Sequence, residues 1–184
     1  MRRSALLSLL LCSLASAPAA FARQDDPRLN DLFADLQSSH SSIEANLIEQ
    51  HIEAIWNKDG NPRVDAWMQQ GIDALSLKNT DAALAAFDKV VALDPTFAEG
   101  YNKRATVEFL VHDFDASVAD IKRTLQLEPR HWGALAGLGQ IYLLLGDKKA
   151  ALKAFEAALK VNPHLTTIAE SVEKLKQELA GSPT

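Results

Sequence analysis

Leu138-Gly139-Gln140-Ile141-Tyr142-Leu143-Leu144-Leu145-Gly146-Asp147, then Lys148-Lys149-Ala150-Ala151-Leu152-Lys153-Ala154-Phe155, closing at Val161-Asn162-Pro163, is the stretch that decides the fold. It sets one small residue on each of two helix-forming segments, Gly139 and Ala151, beside one bulky residue, Phe155. Antiparallel helices approach closely only where side chains are small, and a proline disfavours helical geometry in the residue before it, so the stretch predicts a helical hairpin with a defined stop. Upstream, Asp94-Pro95 and Glu128-Pro129 precede Asn162-Pro163 at a constant spacing of 34 residues. With each proline counted as position 32 of a copy, Gly71, Ala105 and Gly139 share position 8, Ala83, Ser117 and Ala151 share position 20, and Phe87, Ile121 and Phe155 share position 24. Three ungapped copies predict an all-α solenoid of three hairpins.

The expected helices are 64–77 and 81–93, 97–111 and 115–127, then 132–145 and 149–161, with Asp81, Asp115 and Asp147 as cap or first-turn carboxylates of the second helices. A final helix over 166–179 carries Ile168, Val172, Leu175 and Leu179 at helical spacing and predicts a solvating cap. Upstream, Leu29, Leu32, Phe33 and Leu36 form one apolar stripe, and Leu47, Ile48, Ile52, Ile55 and Trp56 another. These two helices match no repeat position. Either they pack on the first repeat as a degenerate hairpin jointed at Gly60-Asn61-Pro62, or they form a mobile arm that covers a groove or docks on another subunit. The expected organisation is a leader at 1–22, an acidic start and N-terminal hairpin at 23–63, repeats at 64–97, 98–131 and 132–165, and a cap and tail at 166–184.

From Val64 to Pro163 the chain resembles three tetratricopeptide repeats (TPRs), the third best through Leu138-Gly139, Tyr142, Ala151, Phe155, Ala158 and Pro163. With its leader, acidic start and the run Tyr101-Asn102-Lys103-Arg104-Ala105-Thr106, it also resembles small exported TPR proteins of Gram-negative bacteria. The resemblance implies that the first helices line a concave groove through positions 2, 5, 9 and 12. These are Asp65, Met68, Ile72 and Leu75, then Glu99, Asn102, Thr106 and Phe109, then Gly133, Ala136, Gln140 and Leu143. Such a mixture of apolar, amide and carboxylate groups suits a protein or peptide ligand, with Met68, Ile72, Glu99, Asn102, Thr106, Phe109, Ala136, Gln140 and Leu143 as its contacts. Gly133, Ala136 and Gly137 either leave a pocket beside Phe109 and Gln140 or permit tight hairpin packing. Arg104 and Glu108 stand where the family usually has apolar residues; Arg104 is either ion-paired to Glu108 or Asp120 or a ligand contact. The clamp by which chaperone-binding members hold a terminal carboxylate is missing, since Met68, Ile72 and Gly137 occupy three of its positions and Lys103 alone cannot replace it.

Arg2 and Arg3 ahead of the apolar run from Ala5 to Ala15, with Ala20-Phe21-Ala22 as the exit, predict a signal peptide cleaved before Arg23 and a periplasmic protein. Its removal takes the formal charge from −5 to −7, which opposes binding to nucleic acid or anionic membranes. The sole cysteine, Cys12, leaves with that segment, and Leu11 before it opposes lipidation. None of His40, His51, His112, His131 and His164 falls at metal-ligand spacing. They are expected to be mostly solvated, with His131 a local partner for Glu128. No nucleophile elbow, phosphate loop or nucleotide fingerprint occurs, so no cofactor, metal or catalytic residue is expected. The functional expectation is a non-enzymatic periplasmic adaptor or scaffold for an unidentified protein or peptide. The alternative is a self-associating envelope protein, a homodimer paired through its N-terminal helices or convex face.

Overall fold

The computed structural model describes residues 23–181, in which nine α-helices and no strand occur. The predicted leader and its cleavage site, and the last three residues of the tail, lie outside the described residues. The helices are α1 (Arg28–Ser38), α2 (Ser42–Trp56), α3 (Pro62–Ser76), α4 (Thr80–Leu93), α5 (Ala98–Leu110), α6 (Phe114–Leu127), α7 (Trp132–Leu144), α8 (Lys148–Val161) and α9 (Thr166–Ala180). Helices α3–α4, α5–α6 and α7–α8 pair as hairpins that stack in chain order, and α9 closes the stack against α8.

Each hairpin is built by the same local chemistry. The second helices begin at Asn79, Asp113 and Asp147, whose side chains accept the N–H groups of Ala82, Ala116 and Ala150. The turn before each passes through a left-handed residue, Lys78, His112 or Gly146. Of these only Gly146 is free of the Cβ penalty. The next residue then bonds back to the last turn of the first helix, from the N–H of Asn79 to Ala74 O, Asp113 to Glu108 O and Asp147 to Tyr142 O. At the proline turns the preceding side chain takes the N–H two residues on, as in Asp94 with Thr96, Glu128 with Arg130 and Asn162 with His164.

The small positions do what the spacing predicts. A Cβ on Gly71 would overlap the Phe87 ring, and one on Gly139 the Phe155 ring. Both rings are fully buried. In the middle hairpin the buried Ser117 hydroxyl donates to Ala105 O at 2.8 Å, so a polar group sits at the close contact with its hydrogen bond made. Val172 and Leu175 of α9 join Ala151 and Phe155 in the last core cluster, which covers the end of the stack.

The N-terminal hairpin differs from both expected placements. It does not stack on the first repeat, and α2 scarcely touches α3. Instead it lies as a strap along the edge where the inter-repeat turns emerge. Arg23 bridges Asp59 and Asp94, and the Gln24 amide donates to Thr96 O and accepts from Ala98 N. Asn30 accepts from Arg130, whose guanidinium lies 4.3 Å from the Phe33 ring centre. At the far end Gln37 donates to Lys160 O and Val161 O, and Asn162 donates to Glu49 at 2.7 Å. Leu29, Phe33, Leu36, Ile52, Ile55 and Trp56 form one core cluster with Trp132 of α7, joined by Val161 and Leu165. Most of both apolar stripes is therefore covered within the chain, Leu32 and Ile48 partly, while Leu47 of α2 stays exposed.

Candidate functional site

The stacking of α5 beside α7 leaves a cavity of about 220 Å³. Asn102, Thr106 and Phe109 line it from α5 and Gly133, Ala136, Gly137 and Gln140 from α7, with Ser117 and Ile121 of α6 behind them. Gly137 explains the opening. A Cβ on Gly137 would meet only the Ile121 Cδ1, at an ordinary 3.6 Å, and one on Gly133 only the His131 ring. Gly137 is not needed for close helix packing, unlike Gly139, and so creates room, whereas a Cβ on Gly133 would crowd His131 Cε1 at 3.3 Å.

Of the groove residues the sequence pointed to, the structure brings Asn102, Thr106, Phe109, Ala136 and Gln140 to this cavity. Leu143 is exposed but outside its lining, one helical turn beyond Gln140. Ile72 packs against the first-repeat core, and Met68 belongs to that core at 1% exposure, too deep to meet a ligand. Glu99 is also withdrawn, at 4% exposure.

The burial of Glu99 comes with a closed network that local sequence did not show. His131 Nε2 lies 2.6 Å from Glu99 Oε2, Lys103 Nζ 3.0 Å from Oε1, and Asn102 donates to Oε2 at 3.2 Å. His131 Nδ1 accepts the Ala134 N–H and caps α7, so the ring proton sits on Nε2 and is given to Glu99. Burial by itself would raise the Glu99 carboxyl, but His131 and the Lys103 ammonium outweigh it and hold it down at about 2. Trp56 of the strap stacks on the His131 ring at 4.3 Å and seals the pair. The expectation of a solvated His131 paired with Glu128 is thus corrected: His131 is buried, and Glu128 holds Arg130. The reason is the strap, which covers a turn that would otherwise face water.

Arg104 is a structural residue. Its guanidinium makes two hydrogen bonds to Asp120, at 2.6 and 2.9 Å, and a third to Asp88 of the preceding repeat at 2.8 Å, with Glu108 at 3.8 Å. Hydrogen bonds to Asp120 and Asp88 raise the Arg104 pKa against the effect of burial. It is outside the cavity lining.

Sequence profiles of the tetratricopeptide repeat match residues 64–97 and 133–165. A TPR repeat-containing protein of Rhizobium etli is 36% identical over 157 residues, which is 85% of this chain and 77% of that protein. The chain belongs to the tetratricopeptide repeat family. Solved TPR structures share its architecture. The first TPR of Spaghetti (RPAP3) bound to the HSP90 peptide SRMEEVD aligns with a TM-score of 0.61 at 20% identity, covering 65% of this chain and 94% of that one. MamA aligns with a TM-score of 0.60 at 18% identity, over 77% of this chain and 87% of its own. At these identities the likeness is one of fold. Within the TPR frame, the α5–α7 cavity lies between the first helices of the second and third repeats.

Proposed function

We propose that the protein is a non-enzymatic periplasmic adaptor or scaffold that holds a protein or peptide segment in the TPR groove between α5 and α7. The observation that carries this reading is the cavity itself. Gly133, Ala136 and Gly137 leave its wall bare, Phe109 and Ile121 give it apolar surface, and Asn102, Thr106 and Gln140 supply groups that can orient a backbone. The site is the open α5–α7 subset of the groove positions, without Met68, Ile72, Glu99 and Leu143. The peptide-bound neighbour supports the reading by showing that the same fold holds a peptide. The periplasmic setting rests on the predicted signal at 1–22, and N-terminal sequencing of the exported chain should begin at Arg23.

The test is affinity capture from a periplasmic extract with the wild-type chain beside an Asn102→Ala/Phe109→Ala variant shown by circular dichroism to be folded. A protein retained by the wild type and lost by the variant is expected. Equal capture by both would move the working surface away from this cavity.

A further inference from the structure

The edge opposite the strap, where each hairpin makes its internal turn, carries an apolar row. Leu77 closes α3, Leu110 and Val111 close α5, and Leu144 and Leu145 close α7, at exposures of 80, 50, 44, 62 and 62%. They recur with the 34-residue period, so stacking places them side by side at successive turn tips. Turns are normally polar, and nothing among the described residues covers these. Together they present on the order of 500 Å² of apolar side chain, comparable to the largest patch a monomer usually leaves in water.

The charges along this row select one occupant. The first turn is flanked by Asp73, Lys78 and Asp81, with an excess of carboxylate, and the third by Asp147, Lys148 and Lys149 with Glu178 of α9, where the charges balance. Asp147 is engaged as a cap and Lys148 is paired with Glu178, which leaves Lys149 as the exposed cation of that turn with no acidic partner among the described residues. The middle turn carries exposed His112 and Asp115 beside the capping Asp113. A flat anionic lipid surface would meet carboxylates at all three turns. A second copy laid antiparallel would not: its first turn faces the third turn of its mate, setting Asp81 against Lys149 and Leu77 against Leu144 and Leu145. At the centre Leu110 and Val111 meet their symmetry mates, with His112 near Asp115. A parallel pairing would instead set like charges against each other. We infer that this edge is an isologous interface through which two copies associate antiparallel. Two such patches together reach about 1,000 Å², the size of a weak, reversible association.

Sedimentation equilibrium of the purified chain over a wide concentration range tests this. The wild type should show a monomer–dimer equilibrium, and Leu144→Glu/Leu145→Glu, exposed positions that leave the core intact, should weaken it by at least about tenfold. Lys149→Glu should also weaken it, and adding Asp81→Lys should restore it, because only the antiparallel arrangement brings these two together. A chain that stays monomeric at the highest concentration, or a dimer indifferent to the leucine substitutions, would overturn the inference. So would a monomer that floats with phosphatidylglycerol vesicles and loses that property in the leucine variant, since the occupant would then be lipid. The groove substitutions Asn102→Ala and Phe109→Ala should leave this equilibrium unchanged, which separates the edge from the groove.

Discussion

Glu108 shows how much a single unsatisfied oxygen can shape this protein. Its Oε2 is buried without a hydrogen-bond partner, and its Oε1 reaches the Arg104 Nε only at 3.8 Å because Asp120 and Asp88 occupy the better positions around that guanidinium. Burial lifts the Glu108 carboxyl to about 7, with Asp120 adding to the rise and Arg104 opposing it. A folded pKa above the unfolded value of 4.5 means that the folded chain binds the proton more tightly. Stability from this group is therefore fully present below 4.5 and lost as pH rises from there to about 7. Glu108→Gln should remove the loss. Thermal melts should show it more stable than wild type by about 2–3 kcal/mol at pH 8 and nearly equal at pH 4. Equal slopes for the two proteins between those pH values would contradict the assignment. Glu99 has the opposite sign, since a carboxyl held at about 2 contributes stability above the unfolded value of 4.5 that is lost only as pH falls toward 2. The two carboxylates titrate in separate windows and can be read from one melting series.

At the scale of elements, hairpins and strap follow different rules. The hairpins could be read from the chain because each depends on residues within one 34-residue period: a small residue facing a ring, a cap, a proline. The strap could not, because what its helices need lies far away. Trp56 meets His131 and Trp132, and Leu36 O takes His164 Nε2 at 3.0 Å, 128 residues on. One clue was present. Asp26-Pro27 stands two periods of 34 before Asp94-Pro95 and makes the same turn, with Asp26 accepting the Arg28 N–H. The intervening junction slipped by one residue, to Asn61-Pro62, and hid the phase. The same long-range placement explains why Glu99 counted as a groove position by register yet is buried, while Gly137 opened a cavity as local size suggested. The strap's hold should rest largely on its aromatic contact. Trp56→Ala empties the space over His131 and beside Phe33 and Trp132, and should cost about 3–5 kcal/mol in urea denaturation. A loss near zero would mean that the strap contributes little to the stability of the whole.

Over the whole molecule, a bare solenoid is held by contacts between neighbours, and its repeats can loosen one at a time. Here the N-terminal hairpin and the residues leading into it touch both inter-repeat turns and the turn into α9, through Asp94 and Thr96, then Arg130 and Trp132, then Val161 and His164. Scanning calorimetry should therefore give one transition whose calorimetric and van't Hoff enthalpies agree. In a Trp56→Ala/Arg130→Ala variant the calorimetric value should exceed the van't Hoff one as the repeats separate; agreement in both proteins would show that neighbour contacts suffice for cooperativity. The strap also sets an order of events in time. Its helices leave the ribosome before the repeats, and their landing sites at Trp132 and His164 are made roughly a hundred residues later. Until the third repeat exists, two amphipathic helices wait without a partner, and final closure joins chain segments of the largest sequence separation in the fold. A growing chain thus exposes two apolar helix faces before the surface that covers them exists, and a chain stopped short of the third repeat would keep them in water.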